Sequence, residues 1–258
     1  MLAADSLRAR IHAREPLLGS FLNLGSPLAG ELYGDAGFDF LVADMEHGAL
    51  TEAGLLHMLH AIASTAATAV VRVEEGTRLR IGRALDFGAG ALMVPRVDTL
   101  EHAREIVRFV RYPPGGTRGI ALPTRFAGYG RLTHAAVAAA HEDVALFIQV
   151  ESQAALDSVE QVAALDGVDV LFVGPTDLSH ALGVPGDISS AIYRAAVERV
   201  GRAAADNGKA AGVLLWTLDD LPPYREAGFT VLAVGSDGST IASTARGLAA
   251  EFRERLSL

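Results

Sequence analysis

The chain has 258 residues, half of them hydrophobic, with 22 basic against 31 acidic side chains and a formal net charge of -9. That length buries one large core, so a single domain over residues 1–258 is expected, and the acidic balance gives no electrostatic footing for a nucleic-acid backbone. Without any cysteine, disulfides, thiolate zinc sites, iron-sulfur clusters and cysteine nucleophiles are excluded, and any metal must be held by oxygen or imidazole.

The first stretch, MLAADSLRARIHAREPLL, carries charges throughout and lacks the apolar core of a secretory signal. No apolar run reaches membrane-spanning length, so a cytoplasmic protein without a membrane partner is expected. Eight apolar runs of strand length then follow in order: LLGSFLNL, FDFLVADM, TAVVRV, GALMVPRV, ALFIQVES, DVLFVGP, AAGVLL and FTVLAVGS. Between them lie stretches with helical spacing, among them SPLAGELYGDAG, TEAGLLHMLHAIAST, TRLRIGRALDFG, TLEHAREIVRFVRY, SQAALDSVEQVAAL and ISSAIYRAAVERVGRAAADNG. Continuously apolar strands point to a parallel sheet covered by helices, and several helices close on Gly before the next strand, as in GDAGFDF, DFGAGAL, DNGKAAG and REAGFTV. Eight such modules fit a closed (β/α)8 TIM barrel better than an open doubly wound sheet, and no glycine fingerprint opens the first helix. The one long insertion, PPGGTRGIALPTRFAGYGRLTH, is too long for an idle connection, which points to a substrate-covering or subunit-contacting role.

In such a barrel the chemistry sits at the carboxyl ends of the strands, so the ionisable groups that end apolar strands carry the information. The second strand ends Asp44, Met45, Glu46, His47; the third ends at Arg72; the fifth carries Gln149 and Glu151; the sixth runs through Gly174, Pro175 and Thr176 into Asp177. Gln149 and Glu151 are two apart and face the same side, the barrel interior or its mouth. A carboxylate there needs a counter-charge, which is either Arg72, in a structural ion pair, or a bound metal. Asp177 points a second carboxylate at the same mouth, and two carboxylates make a hard divalent site for Mg²⁺ or Mn²⁺ with open positions for water and a chelating 2-oxo acid. Arg72 would then neutralise a developing enolate oxygen, and His47, oriented by Asp44 or Glu46, would move the proton. Asp44 has a second reading, as the cap of the helix that follows. Lys209, the sole lysine, begins the seventh strand at the opposite end, which argues against a Schiff-base aldolase.

The remaining polar groups have plainer readings. His57 and His60, at i and i+3 without a carboxylate at helical spacing, read as solvent-facing or interfacial, as do His12, His102, His134, His141 and His180. Of these, His180 follows the Asp177 turn closely. Residues 235–239, Gly-Ser-Asp-Gly-Ser, either cradle a phosphate or form a tight turn capping the last helix. Arg118 and Arg125 in the long loop grip either a substrate carboxylate or a neighbouring subunit.

Taken in order, GSFLNLGSP, AGFDFLVADMEHG, VVRV, GALMVPRV, RYPPGGTRG, IQVES, VGPTDLSHALG and AVGSD resemble the metal-dependent class II 2-oxo-acid (pyruvate) aldolases of the HpcH/HpaI type, typified by 4-hydroxy-2-oxoheptanedioate and 2-dehydro-3-deoxyglucarate aldolases. The likeness spans nearly the whole chain. It implies a barrel of the phosphoenolpyruvate/pyruvate type and reversible cleavage of a 4-hydroxy-2-oxo acid to pyruvate and an aldehyde through a metal-stabilised enolate, in aromatic or sugar-acid catabolism. Carried over, it implies metal carboxylates at Glu151 and Asp177 for Mg²⁺, Mn²⁺ or Co²⁺, an enolate-stabilising Arg72, and a catalytic His47 with Asp44 as its acidic partner. It further implies pyruvate contacts at Gln149, Gly174 and Thr176, and an aldehyde-side contact at Leu214. The chain departs from the heptanedioate pattern in Phe21, where that pattern has tryptophan, and in the loop ALPTRFAGYG, which resembles the sugar-acid members and adds Arg125 as a substrate contact. Both changes bear on the identity of the aldehyde. A homo-hexamer, a trimer of dimers with the last helix (about 238–256) exchanged, is also implied. The rival expectations are an acyl-CoA lyase of the citrate or malyl type, for which the chain is short, and a non-catalytic barrel that binds a 2-oxo acid.

Overall fold

The computed structural model describes residues 6–256. A short helix, α1 (Leu7–His12), precedes an alternation of strand and helix: β1 (Leu17–Leu22), α2 (Pro27–Asp35), β2 (Phe40–Asp44), α3 (Glu52–Ile62), β3 (Thr68–Arg72), α4 (Arg78–Asp86), β4 (Ala91–Val94) and α5 (Leu100–Val110). After the long insertion come α6 (His134–Ala140), β5 (Ala145–Val150), α7 (Gln153–Asp157), α8 (Val159–Ala163), β6 (Val170–Val173), α9 (Pro175–Ala181) and α10 (Ala191–Asp206). The chain finishes with β7 (Ala210–Leu215), α11 (Leu221–Glu226), β8 (Val231–Ser236) and α12 (Asp237–Arg255). Every strand pairs in parallel with the next, and β8 pairs with β1, so the sheet closes into the expected (β/α)8 barrel.

Local chemistry explains the boundaries. The hydroxyls of Thr51, Thr77 and Thr99 accept from the amides three residues on and cap α3, α4 and α5. Gly88 (φ +93°) and Gly208 (φ +67°) end α4 and α10 in the left-handed backbone region that a side chain resists.

The two-residue period of each strand decides what reaches the mouth. Phe40 and Val42, Val70, Phe147, and Phe172 all belong to the buried cluster inside the barrel, whereas Leu41, Ala43, Val71, Ile148, Leu171 and Val173 belong to the cluster against the helices. Extending the inward series by one step brings Asp44, Arg72, Gln149 and Gly174 to the carboxyl end, and one step further brings Glu151. Gly19 serves the same interior: a Cβ there would sit 2.3 Å from the Phe40 ring.

The opposite end is plugged. Leu7 and Ile11 of α1 join the interior cluster, while Arg8 Nε and His12 Nε2 lie 2.9 Å and 2.7 Å from Asp169 Oδ1, just before β6. The other oxygen of Asp169 accepts from the Leu146 amide at 2.9 Å.

The long insertion packs at this lower side, where α3 and α4 end and the chain enters β4. Arg118 is buried between the rings of Tyr112 and Phe126, its Cζ 4.5 Å and 4.2 Å from their centroids, and donates to Asp86. Arg125 donates to the carbonyls of Phe87 and Leu59. The expectation that Arg125 contacts substrate is not met within the chain's own barrel: its guanidinium donates to carbonyls in the last turn of α3 and at the C-cap of α4, at the end remote from the mouth. Arg118, with 2 % of its surface exposed, has no free side to offer a substrate either. No helix among the described residues is long and apolar enough to cross a membrane.

Candidate active site

The register of β2 and β3 sets Asp44 directly beside Arg72. Arg72 Nε and Nη2 donate to Asp44 Oδ1 and Oδ2 at 2.9 Å and 2.8 Å, a bidentate pair that fixes the plane of the guanidinium. Its third nitrogen, Nη1, lies 3.1 Å from Glu46 Oε2, at ion-pair distance but without hydrogen-bond direction, since that oxygen has no hydrogen-bond partner. The Phe21 ring backs the guanidinium, with Cζ 5.0 Å from its centroid. A cation clamped on these sides offers its remaining N–H groups in a preset direction.

Asp44 also accepts from the amides of Glu46 and His47, at 3.0 Å and 3.2 Å, and so shapes the turn that leaves β2. The helix that follows is capped by Thr51 and not by Asp44, whose two amide contacts only shape the turn. The Asp44 oxygens meet Arg72 and these two amides, so Asp44 touches His47 through its backbone amide. The imidazole is 67 % exposed, and Glu46 Oε2 lies 3.7 Å from its Nε2.

Glu151 is in a different position. It is 9 % exposed; Oε1 accepts from the Arg96 amide at 2.7 Å and Oε2 from Gln149 Nε2 at 2.9 Å. Among the described residues no cation forms an ion pair with it, so the alternative of a structural Glu151–Arg72 pair fails: Arg72 belongs to Asp44 and Glu46. Burial pushes the Glu151 carboxyl above the ordinary carboxylate range, against the pull of the Arg96 amide, and the carboxylates of Glu46 and Asp177 add to the rise. Glu46 is also raised by burial, against the attraction of Arg72.

Asp177 lies in the first turn of α9 and faces the same cavity of about 200 Å³ as Glu46, His47 and Glu151. Gly174 lets the end of β6 approach: a Cβ there would stand 3.0 Å from Glu151 Oε2 and 3.2 Å from Glu151 Cβ. Thr176 is exposed beside Asp177, Gln149 is buried with Oε1 unpartnered, and Leu214 packs half-buried against the interior cluster. His180 is exposed on α9 and does not line this cavity. The β8–α12 turn is a structural cap: buried Asp237 takes the amides of Asn23, Leu24 and Gly238, while Ser236 and Ser239 form a reciprocal capping box. A carboxylate already sits where a phosphate would.

The sequence reading missed three lining residues, Arg96, Asp98 and Ser152. Arg96 could have been found by the strand-end criterion itself, because it follows Val94 and Pro95 at the carboxyl end of β4. Its backbone is left-handed (φ +55°), and its amide donates to Glu151.

A model of the HpcH/HpaI aldolase/citrate lyase family matches residues 17–244. The chain belongs to this family. Membership in the HpcH/HpaI family makes it a carbon-carbon lyase. It is 36 % identical over 252 residues to a hydroxypyruvate/pyruvate aldolase of Delftia acidovorans, covering 95 % of this chain and 91 % of that one. A 5-keto-4-deoxy-D-glucarate aldolase of Klebsiella pneumoniae is 35 % identical, with 97 % of each chain covered. The crystal structure of an HpcH/HpaI family protein from Burkholderia cenocepacia superposes with a TM-score of 0.91 at 38 % identity, covering 96 % of this chain and 98 % of that one.

Proposed function

We propose that the protein catalyses reversible aldol cleavage of a 4-hydroxy-2-oxo acid to pyruvate and an aldehyde, with Mg²⁺ or Mn²⁺ held by Glu151 and Asp177. The observation that carries this reading is Glu151, a buried carboxylate that meets two hydrogen-bond donors and no cation. An ion so placed costs several kcal/mol unless it is compensated, and Asp177 on the next strand end supplies the second hard oxygen donor. Gln149, whose Nε2 donates to Glu151, has a buried and unpartnered Oε1 that favours a hydrogen-bonding occupant nearby. When bound, the divalent ion supplies Lewis acidity to the chelated keto acid and leaves positions open for it.

The chain's own residues do the rest. Arg72, immobilised by Asp44 and Phe21, directs its remaining N–H groups at the oxygen on which negative charge grows as the C3–C4 bond breaks. His47, beside Glu46 at the open rim, takes the proton of the C4 hydroxyl; the electron pair of that O–H bond forms the aldehyde carbonyl, and the C3–C4 pair passes into the enolate. Delivery of that proton from His47 to C3 completes pyruvate and returns the imidazole to its neutral form. Gln149 and the backbone at Gly174 and Thr176 position the keto acid, and Leu214 with Phe21 lines the aldehyde side. The names of the relatives, hydroxypyruvate/pyruvate aldolase among them, support the pyruvate half of the reaction.

Purified protein is expected to exchange the methyl protons of pyruvate with solvent and to release pyruvate from a 4-hydroxy-2-oxo acid. A chelator should abolish both activities, a divalent metal restore them, and Arg72→Ala lower them by about 10²–10³-fold. Absence of both activities in the metal-loaded wild type contradicts the reading.

The same proposal includes a homo-oligomer in which α12 packs on another copy. Within its own chain α12 buries only Asp237 and leaves Ile241, Leu248 and Phe252 exposed, as α2 leaves Leu28 and Leu32. Light scattering should give a mass of several chains, six for a trimer of dimers; the mass of one chain contradicts it.

A further inference from the structure

Among the described residues, Arg96 is the one arginine lining the cavity, and it forms no ion pair. It follows β4 on the mouth side, lines the cavity with Glu151 and Asp177, and is exposed. Its only hydrogen bond among the described residues is made by its backbone amide, to Glu151. Its guanidinium forms no ion pair there, although acidic groups surround it. Each of these is otherwise engaged: Asp44 and Glu46 face Arg72, and Asp98 accepts from Ser152 Oγ at 2.5 Å. Glu151 and Asp177 are the donors assigned to the divalent ion.

The backbone makes the placement more than incidental. A non-glycine residue at φ +55° is held in a sparsely populated region at a cost the surrounding structure must offset, and such residues gather at functional sites. Here one exposed, left-handed residue gives its amide to the buried carboxylate and lines the same cavity. A negative charge on the far half of a substrate would have this residue within the same cavity.

The structure also narrows the anion. At the β8–α12 turn, the usual corner for a phosphate in a barrel, the amides of Ser236, Gly238 and Ser239 are already taken by side-chain oxygens. A single exposed guanidinium, with its planar fork of donors, matches a carboxylate. Of the two loop arginines, Arg118 lies between the Tyr112 and Phe126 rings and donates to Asp86, and Arg125 is bonded to carbonyls at the opposite end.

We propose that Arg96 is a specificity-determining residue that binds a carboxylate on the aldehyde half of the substrate, so that the preferred acceptors are aldehyde acids rather than neutral aldehydes. This rests on the pyruvate-aldolase reading of the same site. The test compares addition of pyruvate to succinic semialdehyde and to butanal, acceptors of equal chain length, in the metal-loaded wild type, Arg96→Asn and Arg96→Lys. Asparagine tolerates the left-handed backbone and keeps the amide, so it removes the charge with the least disturbance of Glu151.

The wild type should favour the anionic acceptor. Arg96→Asn should lower the ratio of the two kcat/KM values by about tenfold to a hundredfold, the size expected for a charge-assisted hydrogen bond. Arg96→Lys should keep most of the preference. Pyruvate proton exchange without any acceptor separates the two claims. Wild-type exchange together with an unaltered acceptor ratio in Arg96→Asn overturns the role of Arg96 alone. A loss in Arg96→Asn that is equal for both acceptors and for exchange also overturns it, by showing that Arg96 acts through Glu151. Absence of exchange in the wild type overturns the aldolase reading and this proposal with it.

Discussion

Two buried carboxylates stand at opposite ends of the barrel, and they are treated in opposite ways. Asp169, at the amino end, has an arginine, a histidine and a backbone amide around it. Glu151, at the carboxyl end, has an amide and a glutamine, and burial raises its proton affinity. The first arrangement closes the floor of the barrel with α1 and asks nothing of a ligand. The second leaves a negative charge in a low-dielectric place beside another carboxylate, which is a cost to the folded chain and an opportunity for a cation. The comparison teaches where stability and function have been separated: the floor is compensated by the protein, the mouth by what it binds.

Substitution at the floor should have the larger effect on folding. Asp169→Ala strands Arg8 and the Leu146 amide and should cost about 3–5 kcal/mol in chemical denaturation, as expected when one partner of a buried pair is removed. Glu151→Gln, measured without metal, should change stability by less than about 1 kcal/mol or raise it, because it removes a buried charge and Gln149 can turn its unpartnered Oε1 to accept from the new amide. Equal losses from the two substitutions would erase the distinction.

The fold was legible because the barrel repeats one instruction. Continuous apolar strands and helix-ending glycines such as Gly88 and Gly208 are read locally, and the two-residue period then carries Asp44, Arg72, Gln149 and Glu151 to a common rim without knowledge of any contact. What the sequence could not say is which charge meets which. Arg72 sits in register with Asp44 across β2 and β3, and that neighbour relation, absent from the linear order, took it away from Glu151. Asp44 for the same reason serves Arg72 rather than the His47 ring. Arg125 was misplaced because the insertion that carries it has no periodicity; it is positioned by helix-end carbonyls of Phe87 and Leu59 that only the folded chain brings to it. Arg96 lies two residues past β4 and off its inward series of Ala91 and Met93, so the two-residue period does not mark it.

A smaller effect follows from pH. The folded Glu151 carboxyl binds its proton more tightly than the unfolded one, so between the ordinary glutamate value of about 4.3 and its raised folded value the native state holds more protons. Stability of the metal-free protein should therefore fall as pH rises through that window. Glu151→Gln should flatten the slope in thermal melts recorded across it, and a slope unchanged by the substitution would assign the effect to another group.

The direct test of a cation between the fifth and sixth strand ends is a Mn²⁺ titration followed by the loss of its free-ion paramagnetic resonance signal. The wild type should bind one ion per chain, and Glu151→Gln and Asp177→Asn should each weaken binding by about tenfold or more, as for loss of a charged ligand. Binding of equal strength in the wild type and both variants would contradict the account.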